Sequence, residues 1–128
     1  MTMSHMVFIN CAVNATLVHI SNCQSSDEGI AMIDLEFSSN TNGSAITIES
    51  GCHLKIDHGL FLNHSANLSA IQVLDGAQLT ITDSQFNGSK MGSAIAVEDA
   101  LLIIQQSNFT ENNGVNGSAI FLNVGDAL

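Results

Sequence analysis

A seven-residue phrase that returns at a nearly constant interval limits what this chain can fold into. The copy that runs from Asn42 to Ile48 reads Asn-Gly-Ser-Ala-Ile-Thr-Ile. The five copies begin 28, 25, 24 and 25 residues apart, at Asn14, Asn42, Asn67, Met91 and Asn116. An interval of this size is typical of solenoids, in which each repeat is one unit that stacks on its neighbours.

Three short apolar segments recur inside each repeat, and alternate residues of a segment share one face of a strand. The first segment carries pairs such as Ile46 and Ile48, and the second carries pairs such as Leu54 and Ile56. One aromatic residue marks the third segment in each repeat, namely Phe8, Phe37, Phe61, Phe86 and Phe109. β-Branched residues inside the segments, with Asn, Gly, Ser and Asp between them, favour strands and turns over helices.

Strands that keep equivalent positions in register from repeat to repeat can wind as a coil, in which each strand pairs in parallel with its copy one turn later. The sequence therefore predicts an all-β fold, a right-handed parallel β-helix of about 4–5 turns of roughly 24–28 residues with three short strands per turn. Residues 8–128 are expected to form this single domain, and residues 1–7 lie outside the repeats as an N-terminal extension. Equivalent inward side chains would then stack as ladders about 4.8 Å apart.

Two paired motifs give the chain a family resemblance over residues 8 to 123. Gly-Ser-Ala-Ile occurs at residues 43–46, 92–95 and 117–120, and Phe-x-x-Asn occurs at residues 37–40 and 109–112. This pairing resembles the Gly-Gly-Ala-Ile and Phe-x-x-Asn repeats of polymorphic outer membrane proteins, although Ser replaces the second Gly. The resemblance implies a pectin-lyase-like right-handed β-helix and, in bacteria, an autotransported adhesin passenger.

The charge and composition of the chain limit the kinds of partner that it can bind. The net charge is −10, and Lys55 and Lys90 are the only fixed positive side chains, so binding to nucleic acid or to anionic lipid is not expected. No apolar run approaches the roughly 18 residues that a membrane helix needs, so membrane insertion is not expected. No signal peptide is visible, so a secreted protein would be a mature chain or a fragment, and no cofactor is predicted.

Enzyme activity is not expected, although polysaccharide-cleaving enzymes use this fold. Lyase chemistry on acidic sugars needs a base and cations, and the two lysines occupy different turns. Glycoside hydrolysis needs clustered carboxylates, whereas Glu49, Asp75 and Glu98 follow the first strand singly, which favours a solvated edge with a weak calcium site as the alternative. The histidines have no repeated partner, and each is interpreted as a surface residue: His5, His19, His53, His58 and His64.

The cysteines are three in number, and their spacing predicts no metal site. Cys52 shares the inward parity of Leu54 and Ile56, which favours a small buried side chain. Cys11 and Cys23 lie in the irregular first turns and are the better candidates for a disulfide. Whether these two residues pair stays open at this point.

Asn-x-Ser/Thr sequons are the main functional hint, and there are seven of them: Asn14, Asn42, Asn63, Asn67, Asn87, Asn108 and Asn116. Turns in this fold favour Asn, Gly and Ser, so the repeat alone accounts for some of these sequons. It does not account for Asn63, Asn87 and Asn108, which lie at three different offsets around the Phe corner. Glycosylation of several sites would place the protein outside the cell, on an extracellular or cell-surface route.

Two function hypotheses of different classes follow. The first is a non-enzymatic extracellular structural protein, an N-glycosylated repeat unit that self-assembles head to tail into a fibre or surface coat, because the sequence shows no capping helix at either end. The second is an adhesin-like surface binding module, for which only Phe121 and the segment from Cys23 to Glu28 are candidate contact regions. A polysaccharide-active enzyme ranks below both.

Overall fold

The computed structural model describes residues 2–9, 11, 16–23, 29–41, 43–66, 68–114 and 119–123. These residues form an all-β parallel solenoid of about four turns, with no helix among them. The predicted fold class is confirmed at this level, because every strand pair given below is parallel and joins segments about one repeat apart.

The first face is a five-stranded parallel sheet that contains the repeated phrase. Its strands, in chain order, are β3 (Thr16–Ile20), β5 (Ser44–Ile48), β8 (Ile71–Leu74), β12 (Ile95–Glu98) and β16 (Ile120–Asn123). Ile46, Ile71, Ile95 and Ile120 stand in register. The predicted inward parity of this segment is confirmed, since Ile46, Ile71 and Ile95 are all completely buried.

The second and third faces form one larger parallel sheet of eight strands. They comprise β1 (Thr2–Ser4), β2 (Val7–Ile9), β4 (Ile30–Ser38), β6 (His53–Leu62), β9 (Gln78–Thr82), β10 (Gln85–Asn87), β13 (Leu101–Gln105) and β14 (Asn108–Thr110). β4 and β6 each cover both faces and bend at Asp34 and His58, whose φ angles are 56° and 58°. In later turns the same bend separates β9 from β10 and β13 from β14.

A fourth, very short face was not predicted. It consists of β7 (Ser65–Ala66), β11 (Lys90–Met91) and β15 (Asn113–Gly114), which pair in parallel, and Thr41 bridges to Ser65. These residues are mostly polar, so apolar parity could not reveal them. They align because each of these short segments begins four residues after the Phe of its own turn.

The core is a set of stacked side-chain columns, one residue from each turn. The aromatic column is continuous, with neighbouring ring centroids 4.5 to 5.2 Å apart and ring planes within 9° of parallel: Phe8, Phe37, Phe61, Phe86 and Phe109. Because the rings are carried on strands spaced by about 4.8 Å, they pack as offset stacks. The column predicted from the sequence is confirmed.

The N-terminal residues differ from the sequence expectation. Residues 1–7 were expected to lie outside the repeats, but β1 pairs with the start of β4, with Met3 beside Met32. Met3 and Met6 pack against the core. This segment joins the ladder because it repeats the second-face pattern with Met in the inward position, as the neighbouring strand does at Met32.

Candidate functional site

The described sequons lie on the third face and the corner that follows it. Asn108 begins β14 and is exposed, Asn87 ends β10 and is half-buried, and Asn63 is exposed in the corner with a φ of 53°. The amide N–H of Asn63 donates to the carbonyl of Asn87 over 2.8 Å, so these two residues sit on adjacent turns. The other predicted glycosylation residues, Asn14, Asn42, Asn67 and Asn116, lie outside the described residues.

Cys11 and Cys23 were the predicted disulfide candidates, and the prediction was wrong for Cys11. Cys23 is bonded to Cys52, with Cα atoms 5.2 Å apart, and Cys11 is free and half-buried. Cys23 and Cys52 occupy the corner between the first and second faces, on adjacent turns, whereas the carbonyl of Cys11 accepts from the N–H of Thr41 at the corner after the third face. The position of Cys11 and Cys23 in the irregular first turns suggested the first pairing, but two residues at different corners of the solenoid cannot meet.

The Asn of the Phe-x-x-Asn motif clamps its turn to the one before it in the two turns that carry the motif. Asn40 Oδ1 accepts from the Cys11 N–H at 2.8 Å, and Asn40 Nδ2 donates to the Phe8 carbonyl at 3.1 Å. Asn112 repeats both bonds, to the N–H of Ser89 at 3.0 Å and to the carbonyl of Phe86 at 3.0 Å. The motif therefore has a structural role, because it satisfies backbone groups that a corner would otherwise leave unpaired.

His64 occupies the same column where the motif departs from Asn. Its side chain is 4% exposed, and neither ring nitrogen has a well-formed hydrogen bond. Burial lowers the pKa of His64 below its ordinary value of 6.5, opposed in part by backbone groups of Leu68 and Gly43. The interpretation of this histidine as a surface residue was wrong, whereas His5, His19, His53 and His58 are exposed.

A groove runs along the outside of the corner between the second and third faces. Its volume is about 470 Å³, and its lining combines carboxylates and imidazoles with apolar walls: His5, Val7, Asp34, Leu35, Glu36, His58, Leu60, Asp83 and Gln85. One residue per turn takes a positive φ at this corner, and in four successive turns these residues are His5, Asp34, His58 and Asp83. The corner therefore presents an alternating column of imidazole and carboxylate side chains to the groove.

Serine hydroxyls fix the backbone of this corner from the inside. Ser84 Oγ accepts from the Gly59 N–H at 2.9 Å and donates to the Thr82 carbonyl at 2.9 Å. Ser107 repeats the arrangement one turn later, accepting from the Ser84 N–H at 3.1 Å. Glycine fits at position 59 because a Cβ there would press on the side chains of Ile56 and Phe61. The backbone next to His58 and the backbone next to Asp83 are thus each held by a serine of the following turn.

Three ligand-type side chains lie together at this corner, and two of them, His58 and Asp83, line the groove. Asp57, His58 and Asp83 each place one ligand atom within 4.8 Å of the others, and His58 Nδ1 lies 3.1 Å from Asp57 Oδ1. His5 and Asp34 form a looser pair at 3.5 Å in the same column. Sequence reasoning missed this cluster because Asp83 lies one full turn beyond the other two residues.

The carboxylates singled out from the sequence do not join this cluster. Glu49 and Glu98 occupy one column with Leu74 between them, and Asp75 lies in the next column, at the corner. Glu49 Oε1 lies 3.1 Å from His19 Nε2 on the preceding turn. The strands of the first face therefore carry spaced, partly paired carboxylates at their ends.

These features define the chain as a parallel β-solenoid repeat protein with one disulfide between adjacent turns. Comparison with family models, with curated proteins and with solved structures found no match in any of the three. Within the described residues, no helix has the length and apolar character to cross a membrane.

Proposed function

We propose that this chain is a non-enzymatic structural element of an extracellular or cell-surface assembly, in which copies stack head to tail and carry N-linked glycans on the side. The observation that carries the proposal is the gradient of burial along the ladders. Phe61 and Phe86 are 1% and 0% exposed, whereas Phe8 and Phe109, in the outermost described turns, are only half-buried. A further turn of the same repeat would bury them.

A second copy fits this requirement because the two outer turns present the same columns. Phe109 and Ile104 point inward at one edge, and Phe8 and Met3 point inward at the other. Placing the N-terminal turn of one copy on β13 and β14 of another would set Met3 over Ile104 and Phe8 over Phe109. The backbone groups of both edges would then continue the parallel ladder.

The exposed sequons support the extracellular part of the proposal. Asn63 and Asn108 are exposed on the third face and its corner, where a glycan would project sideways and leave the ladder edges free. The close approach of Asn63 and Asn87 predicts that sugars there must splay apart or occupy only one of the two sites.

Sedimentation velocity over a range of protein concentrations tests the stacking. The wild type should self-associate. Ile104→Lys should not, because stacking would bury the lysine charge between two copies. Ile103→Lys is the matched control, because it places the same charge on the outward side of the same edge strand. A circular dichroism melt checks that both variants fold. A wild type that stays monomeric at high concentration would refute the stacking.

Intact mass before and after enzymatic deglycosylation, on protein secreted from a eukaryotic host, tests the glycans. A mass loss with glycopeptides at Asn63 or Asn108 supports the proposal, and bare sequons throughout would refute the glycoprotein part of it.

The second candidate is an adhesin-like binding module, and the resemblance to polymorphic outer membrane protein repeats favours it. The clamps made by Asn40 and Asn112 give the Phe-x-x-Asn half of that resemblance a physical basis. A monomeric, unglycosylated protein that adheres to a cell or matrix surface would put this candidate first.

A further inference from the structure

We infer that Asp57, His58 and Asp83 form a binding site for one divalent transition-metal ion, with Zn²⁺ as the ion whose preferences the donors meet. The three side chains offer two carboxylate oxygens and one imidazole nitrogen, with the ligand atoms within 4.8 Å of one another. His58 and Asp83 also line the groove, so the site opens to solvent on one side for entry of an ion and of water ligands. This inference does not depend on stacking or on glycosylation.

A second observation at the same place is the state of the Asp57 carboxylate. Its Oδ1 atom is enclosed and accepts no well-formed hydrogen bond, although the whole side chain is 35% exposed. His58 Nδ1 lies only 3.1 Å away, but its orientation does not make a hydrogen bond. An enclosed carboxylate oxygen without a hydrogen-bond donor is unfavourable, and a cation bound between the side chains of Asp57 and His58 would offset this cost.

The geometry of the corner suits a site that exists before the ion arrives. His58 and Asp83 sit at equivalent positions of adjacent turns, both with positive φ, at 58° and 49°. Ser84 Oγ ties the backbone after His58 to the backbone after Asp83 through the Gly59 N–H. Binding therefore needs small side-chain adjustments on a fixed backbone, which limits its entropic cost.

The donor set discriminates among ions. Imidazole suits Zn²⁺ and its neighbours in the first transition row, and carboxylates complete a mixed nitrogen and oxygen set at neutral pH. Ca²⁺ favours six to eight oxygens and gains little from an imidazole. The two carboxylates neutralise the ion, and the net charge of −10 for the whole chain attracts a cation.

Titration calorimetry of the full chain with zinc chloride, after removal of metals with a chelator, tests the inference. The wild type should bind one Zn²⁺, and His58→Asn and Asp83→Asn should each weaken binding at least about tenfold. Asn is chosen because it tolerates the positive φ at both positions.

Two matched controls separate this site from general attraction to an acidic protein. Asp75→Asn removes an exposed corner carboxylate with a φ of 50°, and His19→Asn removes an exposed histidine that faces a single carboxylate, Glu49. Both should bind Zn²⁺ as the wild type does. The Co²⁺ complex should show visible absorption bands that His58→Asn alters, because one ligand nitrogen is lost.

Three outcomes would overturn the inference. The first is absence of stoichiometric Zn²⁺ binding by the wild type. The second is an equal loss of affinity in Asp75→Asn and Asp83→Asn. The third is Ca²⁺ binding as tight as Zn²⁺ binding that His58→Asn leaves unchanged, which would mark a carboxylate site without the imidazole.

Discussion

Replacing Phe86 by Leu should show how much the aromatic column stabilises the solenoid. Phe86 is 0% exposed, and its ring centroid lies 4.5 Å from that of Phe61 and 4.7 Å from that of Phe109. Leu keeps most of the buried apolar area but removes both ring contacts. An aromatic pair contributes about 0.5–1.5 kcal/mol beyond its area burial, so the loss of two pairs should lower the free energy of unfolding by about 1–3 kcal/mol.

The matched variant is Phe8→Leu. Phe8 is half-buried and stacks on a single ring, that of Phe37, at 4.8 Å. The loss of one pair should lower the free energy of unfolding by about 0.5–1.5 kcal/mol, roughly half the effect at Phe86.

Urea unfolding at 25 °C, followed by far-ultraviolet circular dichroism, measures both variants, because the chain has neither Trp nor Tyr to report by fluorescence. In both variants the slope of the free energy of unfolding against urea concentration must equal that of the wild type for the comparison to hold. Equal losses at Phe86 and Phe8 would refute the reasoning, since they would mean that the number of ring neighbours does not set the energy.

Three further predictions concern the inward columns, the disulfide and the buried histidine. Ile71→Ala, at a completely buried position, should cost about 2–5 kcal/mol of unfolding free energy, and Gln72→Ala on the outward side should cost little; equal costs in denaturant titrations would mean that the inward parity is misread. Cys52→Ala should lower stability by about 3–4 kcal/mol through loss of a link across 29 residues, whereas Cys11→Ala should lower it far less; similar melting temperatures for the two variants would argue against the link. Because burial lowers the pKa of His64, the unfolded chain binds the proton more readily, so the His64 contribution to stability should be full above about pH 6.5 and fall as the pH drops below it. His64→Asn should reduce the difference between the free energies of unfolding measured at about pH 5 and at about pH 7.5. The same difference in the variant and the wild type would contradict the assignment.

The repeat period and side-chain parity predict the parts of the fold that depend on equivalence between turns. Ile71 and Ile95 stack because the same phrase precedes both, and Phe61 and Phe86 stack for the same reason. A parallel ladder converts equal spacing in sequence into contact in space, so one correct interval is enough to assign the columns.

The remaining features depend on where a particular turn departs from the repeat. Cys23 lies in the longest interval, between the copies at Asn14 and Asn42, where the spacing departs most from the usual repeat, and it bonds Cys52 beyond that interval. His64 stands where two other turns have Asn, and its burial follows from its column, which residue type alone does not indicate. The cluster of Asp57, His58 and Asp83 requires the register between adjacent turns and the outward direction of a corner with positive φ. Neither is visible in a spacing motif.

The disulfide between Cys23 and Cys52 gives the solenoid a direction in which it comes apart. All three cysteines lie within the first 52 residues, so only the N-terminal turns are joined covalently. At the other edge, Leu101 and Leu122 are 51% and 62% exposed, and β13, β14 and β16 each pair along one side only among the described strands. Because a solenoid opens turn by turn from its weaker edge, fraying should begin there and travel toward the linked turns, which would remain as the template on which the rest winds again.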